Sequence, residues 1–159
     1  MNIRLDQINT ITETHIELSG SKSETNRILL LQALFPAISL HNISNADDTQ
    51  IMQQALKSKE SVINIHHAGT AMRFLTAYFA MQDGREVVLT GSKRMKQRPV
   101  KILVNALREL GATIEYTENE DYPPLHIKGK ILKESNIAIK ADVSSQYITA
   151  LLLIGAKLP

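Results

Sequence analysis

The sequence predicts an α/β fold with helices on the inside and sheets on the outside. Three observations lead there. Segments with apolar residues at every second position alternate with segments of helical period, and extra strand–strand steps interrupt the alternation. Two helical segments, one opening near Gly69 and one near Ser144, are apolar nearly all round, and such helices are buried rather than laid on a surface. The 159 residues are 43% hydrophobic and 21% charged, an ordinary soluble composition with enough apolar material for one core.

Alternation in THIELSG predicts a strand ending near Leu18. Ser23 fits as the N-cap of a helix over residues 24–35, stopped by Pro36. ISLHNI reads as a strand. DDTQIMQQALKS reads as an amphipathic helix, with Asp47 and Asp48 in its first turn and Lys57 near its end. SVINIH is a strand, and GTAMRFLTAYFAM is a helix whose apolar surface is interrupted mainly by Arg73. After the strand EVVLTG, Pro99 suits the first turn of a helix running through Leu110, and Gly111 suits its end. ATIEYT, PLHIKG and NIAIKA are short strands, and Ser144 begins the final helix. The element types repeat loosely, without a sequence period, a linker or a clear domain boundary.

Composition excludes several functions. The net charge of +2 is too weak to argue for a nucleic-acid partner. Aromatic residues are only 4% of the chain and do not interleave its basic residues, which disfavours a stacking single-strand binder. The absence of cysteine removes disulfides, thiolate chemistry and thiolate zinc sites. MNIRLDQINT holds no apolar run of signal-peptide length, and ALLLIGA falls far short of a membrane span. A soluble cytoplasmic protein with no membrane partner is expected. SSQYITALLLIGAKLP ends the chain just after a buried-looking segment. That is either a C-terminal docking helix or the sign of a piece of a longer protein.

Three predicted helix starts share a character. SGSKS, HAGT and DVSSQ each combine small or hydroxyl residues with a helix N-terminus, where free N–H groups and the helix dipole favour anions. Any one of them is explained by capping alone. Three together, with Lys22 in the first, point to an anion-rich ligand. GSKRMKQRPVK adds Lys93, Arg94, Lys96, Arg98 and Lys101. Single members read as a solvated basic loop, but Arg98 before Pro99 is placed to grip a phosphate or carboxylate with its planar fork. The same cluster is compatible with RNA phosphates. His66 and His67 are adjacent, so their side chains diverge, and no third ligand is well spaced; no metal is expected. Asp47 and Asp48 read as a favourable first turn, and no Ser-His-Asp order or paired-carboxylate motif stands out.

These motifs resemble the 5-enolpyruvylshikimate-3-phosphate (EPSP) synthase family. SKSETNRILLLQAL, HHAGTAMRFL, LTGSKRMKQRPVKILVNALRELGA and VSSQYITALLL are similar to four of its segments, in the family's order, and span essentially the whole chain. The resemblance implies a transferase that moves the enolpyruvyl group of phosphoenolpyruvate to the 5-hydroxyl of shikimate 3-phosphate, releasing phosphate, with no cofactor. It implies that Lys22 touches both substrates as the catalytic cation. It assigns Ser23, Arg27, Ser144, Ser145 and Gln146 to shikimate 3-phosphate, and His67, Gly69, Arg98 and Gln146 to phosphoenolpyruvate.

The resemblance also implies a fold: βαβαββ units with buried helices and outer sheets, an inside-out α/β barrel, here incomplete. Family members run to roughly 430 residues, about three times a typical single domain, in two similar domains of three units each. Residues 1–20 are then expected to belong with the other domain, and residues 21–159 to form about two of the three units of the first. The acid–base aspartate and further cationic ligands lie in the absent second domain, the expected partner, so this chain alone is expected to be inactive. Departures from the family pattern are His66 and His67, in place of glycine and asparagine, and Phe74, in place of proline after AMR. Alternatives are the enolpyruvyl transferase of cell-wall synthesis, whose reactive cysteine is missing here, and a non-catalytic anion- or RNA-binding module.

Overall fold

One helix organises the structure. In the computed structural model, which describes residues 3–4, 6, 13, 15–133, 135–140 and 144–158, the segment Gly69–Ala80 is a 12-residue helix with ten residues buried. The elements in chain order are α1 (Lys22–Leu34), α2 (Asp47–Lys57), β1 (Val62–Asn64), α3 (Gly69–Ala80) and β2 (Glu86–Thr90). A 3₁₀ turn (Met95–Gln97), α4 (Lys101–Glu109), β3 (Thr113–Tyr116), β4 (Leu125–Lys128) and α5 (Ser145–Gly155) follow. From Val62 to Lys128 the chain thus completes one β-α-β-α-β-β run. Helix α3 packs on α1, α2, α4 and α5 and on strands β2 and β4, as a helix apolar on every side must.

The sheet has the order β1-β2-β4-β3, with β1 and β2 parallel and the other pairs antiparallel. Its inner face is a continuous apolar layer. Ile63 sits opposite Leu89, Leu89 opposite Leu125, Val87 opposite Ile127, and Ile127 opposite Ile114, all buried. The alternate residues form an outer polar face, because successive side chains of a strand point to opposite sides. There Glu86 pairs with Lys128 and Glu115 with His126. His126 lies between two carboxylates, with Nε2 2.7 Å from Glu86 and Nδ1 3.6 Å from Glu115. For α3 the apolar patterning thus produces a helix inside and a sheet outside; α5, expected to be buried as well, packs on α1, α3 and α4 through one side, burying Tyr147, Ala150 and Ile154 and leaving Leu152 71% exposed.

The structure departs from the sequence expectation in its short strands. Residues 15–20, 38–43 and 136–140 carry no strand; Thr14 and Ala141, which complete two of these expected segments, lie outside the described residues. A strand exists only through its ladder, and alternation alone supplies no partner. Segment 38–43 instead hangs on α1: the Gln32 amide donates to the Ile38 carbonyl at 2.8 Å, and Ser44 N–H donates to Thr25 Oγ1 at 3.0 Å. Asn42, at φ 49°, breaks its extended course. Helix α1 opens two residues earlier than expected, capped by Ser21 rather than Ser23, with Ser21 Oγ accepting from Glu24 N–H. Helix α4 opens at Lys101, after Val100, leaving Pro99 outside its first turn.

Gly129 closes β4 against the end of α3. A β-carbon there would lie 1.9 Å from the Gln82 carbonyl oxygen and 2.6 Å from that of Phe79. Gly129→Ala is expected to destabilise the fold by about 1–3 kcal/mol, the usual range for overpacking. Gly155→Ala, which meets nothing within 4 Å, serves as the control. Urea midpoints that fall for Gly129→Ala and hold for Gly155→Ala are the expected result; equal midpoints contradict the packing.

Candidate functional site

The mouth of α3 is shaped by two loops. After β1, Asn64 Oδ1 accepts from His66 N–H at 2.9 Å, and His66 takes a left-handed φ of 49°. The His66 carbonyl accepts from Ser92 N–H at 2.8 Å, tying this loop to the one after β2. The turn delivers Gly69 as the first residue of α3, behind Ala68 as N-cap. Alanine offers no side-chain acceptor, so the first amides of α3 lack the hydroxyl that Ser21 gives α1 and Ser144 gives α5. Two guanidiniums crowd Gly69. A β-carbon on it would lie 2.5 Å from Arg98 Nη1 and 3.1 Å from Arg73 Nη1.

In front of this mouth lies a cleft of about 580 Å³, lined by His67, Ser92, Arg94, Met95, Gln97 and Arg98. Its lining holds two guanidiniums and an imidazole and no carboxylate. The basic stretch of the sequence is thus divided. Lys96 pairs with Glu118, and Lys101 with Asp121 at 2.8 Å, a hydrogen bond that raises the Lys101 pKa above its ordinary value. Arg94 and Arg98 line the cleft instead. The 3₁₀ turn makes the division by burying Met95 between them.

Lys22 opens α1 and His67 precedes α3, and both face one carboxylate. Asp48, in the first turn of α2, has Oδ2 3.6 Å from Lys22 Nζ and Oδ1 3.9 Å from His67 Nε2. The Asp48 side chain is 16% exposed, whereas those of Lys22 and His67 are 50% and 64% exposed, so both side chains reach solvent from a largely shielded carboxylate. Arg27 Nη1 donates to the Ser23 carbonyl at 2.6 Å, and its guanidinium carbon lies 5.7 Å from the ring centroid of Phe74. Phe74 is fully buried, so the residue that departs from the family pattern forms the floor under Arg27. Ser23 is exposed on the first turn of α1.

Helix α5 brings its own mouth alongside. Ser144 Oγ accepts from Gln146 N–H at 3.3 Å, Ser145 is exposed, and Gln146 Nε2 donates to Thr70 Oγ1 at 3.3 Å. The next residue, Tyr147, is buried and donates its hydroxyl to the Pro99 carbonyl at 2.7 Å. Beside it lies Arg73, 5% exposed, with its guanidinium carbon 5.8 Å from the Tyr147 ring centroid and Nη1 donating to the Gly69 carbonyl at 2.8 Å. Burial pulls the Arg73 pKa below its ordinary value; Tyr147 opposes that shift and Arg98 adds to it. Arginine nevertheless stays charged in proteins.

Of the expected site residues the structure thus brings Arg98 and His67 to the cleft, sets Gly69 behind Arg98, joins Gln146 to Thr70 on the first turn of α3, and ties Lys22 to His67 through Asp48; Ser23, Arg27, Ser144 and Ser145 do not line the cleft. Three residues of this arrangement carry no role in the sequence reading. Arg73 is signalled only as a charge inside an apolar helix, which demands compensation. Asp48 reads as a helix-start acid, and nothing in its spacing announces Lys22 and His67. Tyr147 reads as core. Among the described residues no group of three or more His, Asp or Glu could hold a metal ion, and no helix is long and apolar enough to cross a membrane.

The profile of the family described as EPSP synthase (3-phosphoshikimate 1-carboxyvinyltransferase) matches residues 46–158, most of the chain. The chain belongs to the EPSP synthase family. A relative named 3-phosphoshikimate 1-carboxyvinyltransferase from Bacteroides fragilis is 55% identical over 141 residues, covering 88% of this chain and 34% of its own. One of the same name from Colwellia psychrerythraea is 41% identical over 167 residues, covering 88% of this chain and 39% of its own. The chain thus spans little more than a third of the length of these EPSP synthase relatives. A solved structure of EPSP synthase from Acinetobacter baumannii superposes with a TM-score of 0.73 at 23% identity, over 88% of this chain and 37% of its own. That likeness establishes the fold as part of the family's α/β architecture.

Two substitutions probe the mouth. Gly69→Ala forces Arg98 Nη1 away from its position 2.5 Å from the new β-carbon, and the far end of a side chain yields readily. Weaker binding of inorganic phosphate with a stability change under about 1 kcal/mol is expected from calorimetric titration and urea unfolding. His66→Gly removes a β-carbon from the left-handed backbone at φ 49°. Its stability is expected to hold or rise by up to about 1 kcal/mol. A clear loss would show that the imidazole makes a contact the loop needs.

Proposed function

We propose that this chain forms one wall of the cleft of a 3-phosphoshikimate 1-carboxyvinyltransferase and grips the anionic groups of both substrates. In the intact enzyme the enolpyruvyl group of phosphoenolpyruvate passes to the 5-hydroxyl of shikimate 3-phosphate, and phosphate leaves. The observation that carries this reading is the mouth of α3. There a helix start without a side-chain cap and a glycine too crowded for a β-carbon lie directly behind the Arg98 guanidinium, and Arg98 lines a cleft without a carboxylate.

The roles divide between two helix mouths. Gly69, Arg98 and His67 receive phosphoenolpyruvate, through amides, a planar fork and an imidazole respectively. Ser144, Ser145, Ser23 and Arg27 receive shikimate 3-phosphate. The Ser144 hydroxyl already accepts from Gln146 N–H, which leaves its proton free to donate to a phosphate oxygen. Arg27 uses one nitrogen on the Ser23 carbonyl and keeps other donors for the substrate carboxylate. Gln146 spans the two mouths through Thr70. Lys22 is the catalytic cation that meets both ligands, and Asp48 restrains its charge until they arrive. This wall contributes by positioning two mutually repelling anions and offsetting their charge. The facing wall, with the acid–base group, belongs to the remaining domain of the same enzyme. Residues 1–20 belong with that other domain, and residues 21–159 form about two of the three repeat units of theirs.

An amide NMR titration with shikimate 3-phosphate, against shikimate and inorganic phosphate, tests this reading. Saturable shifts at Ser23, Arg27 and Ser144 to Gln146 with the phosphorylated ring alone are expected. Identical weak shifts with plain phosphate would instead mark a generic anion module. In the intact enzyme Lys22→Ala is expected to lower turnover by about 100-fold or more, on the scale of losing one electrostatic stabiliser. The 159-residue chain by itself is expected to show no turnover above its own Lys22→Ala control.

A further inference from the structure

Arg73 is expensive to keep. It is 5% exposed within the most deeply buried helix, and its Nε is buried without a hydrogen-bond partner. Among the described residues it forms no ion pair, and neither does Arg98. Yet the two guanidiniums flank one residue, with Arg98 Nη1 2.5 Å and Arg73 Nη1 3.1 Å from the position of a Gly69 β-carbon. A buried, unpaired charge is costly, and a like charge beside it adds to the cost.

A purely structural role does not need that charge. The one hydrogen bond Arg73 makes at this point, to the Gly69 carbonyl at 2.8 Å, is within the chemistry of a neutral amide. The rest of the site is arranged to hold the guanidinium in place. Its face lies against the Tyr147 ring, and the Tyr147 hydroxyl holds the carbonyl of Pro99, the residue next to Arg98. One aromatic side chain thus fixes Arg73 directly and steadies the backbone from which Arg98 projects.

We infer that Arg73 is a positioning residue of the α3 anion site: a buried second charge that attracts the ligand through the Gly69 turn without touching it. The anion that neutralises Arg98 from the solvent side also relieves the repulsion between the two guanidiniums. The helix start, Arg98 and Arg73 then act on one negative group from three directions. The inference rests on the reading of this mouth as the phosphoenolpyruvate end of the cleft.

The test is titration of this chain with inorganic phosphate and with phosphoenolpyruvate, by calorimetry and by NMR. Arg73→Gln keeps a donor for the Gly69 carbonyl and removes the charge; Arg73→Lys keeps the charge. Coulombic attraction at this separation predicts affinity about tenfold weaker for Arg73→Gln and within about threefold of the parent for Arg73→Lys. A merely structural role would lower the melting temperature of the folded Arg73→Gln variant and leave its phosphate affinity unchanged, and that result overturns the inference while the site reading stands. No response of Gly69 in the parent chain to either ligand overturns both. If Arg73→Gln does not fold, the parent's Arg73 Nε–H resonance decides. It is expected to shift with the same dissociation constant as the Gly69 amide, and a stationary resonance beside a moving Gly69 overturns the inference.

Discussion

The burial of α3 is the constraint on which the rest of this structure depends. A helix that is apolar on every side has no face to give to water, so it must be covered by the sheet and by other helices together. That forces an arrangement with helices within and the sheet as an outer wall. It leaves the ends of α3 as its contacts with the surroundings. The N-terminal end cannot be sealed with apolar side chains, because its first amides require acceptors. The most deeply buried helix therefore ends in a polar opening.

Around that opening the charges are arranged by what the packing permits. Arg98 approaches from the loop after β2, where Gly69 alone leaves room for its guanidinium. Arg73 approaches from inside the helix, carried by the Tyr147 ring. Lys22 and His67 approach from the starts of α1 and α3 and share Asp48, a carboxylate largely shielded by the protein. The outer sheet face shows a contrasting arrangement, with acids and bases side by side: His126 lies between Glu86 and Glu115, and Lys128 lies beside Glu86.

Much of this was legible residue by residue. The helices α2, α3 and α5 begin within one residue of where their apolar periods and small starting residues place them, because a helix is held by bonds within its own segment. The strands β1 to β4 were legible because each has a partner within the Val62–Lys128 run. The segments at 15–20, 38–43 and 136–140 have strand-like alternation and no ladder, and for 38–43 the α1 side chains supplied alternative bonds. Ser21 rather than Ser23 caps α1, and the three serines of SGSKS leave that choice to the path of the incoming chain. In the basic stretch, sequence spacing could not separate Lys96 and Lys101 from Arg94 and Arg98, since the separation comes from Glu118 and Asp121 far along the chain.

The sequence by itself determined the family, the helices with their anion-friendly starts, and the demand that α3 be buried, all through local pattern and motif order. Only the tertiary structure decided which of those starts lacks a capping hydroxyl and which side chains gather around it. Ser21 and Ser144 cap two starts with their own hydroxyls, Ala68 gives the third none, and Asp48, Tyr147 and Arg73 gather around it from separate elements. The reason is physical. Capping and period act over a few residues along the chain, whereas an electrostatic site is a sum over charges that meet only after the chain has folded.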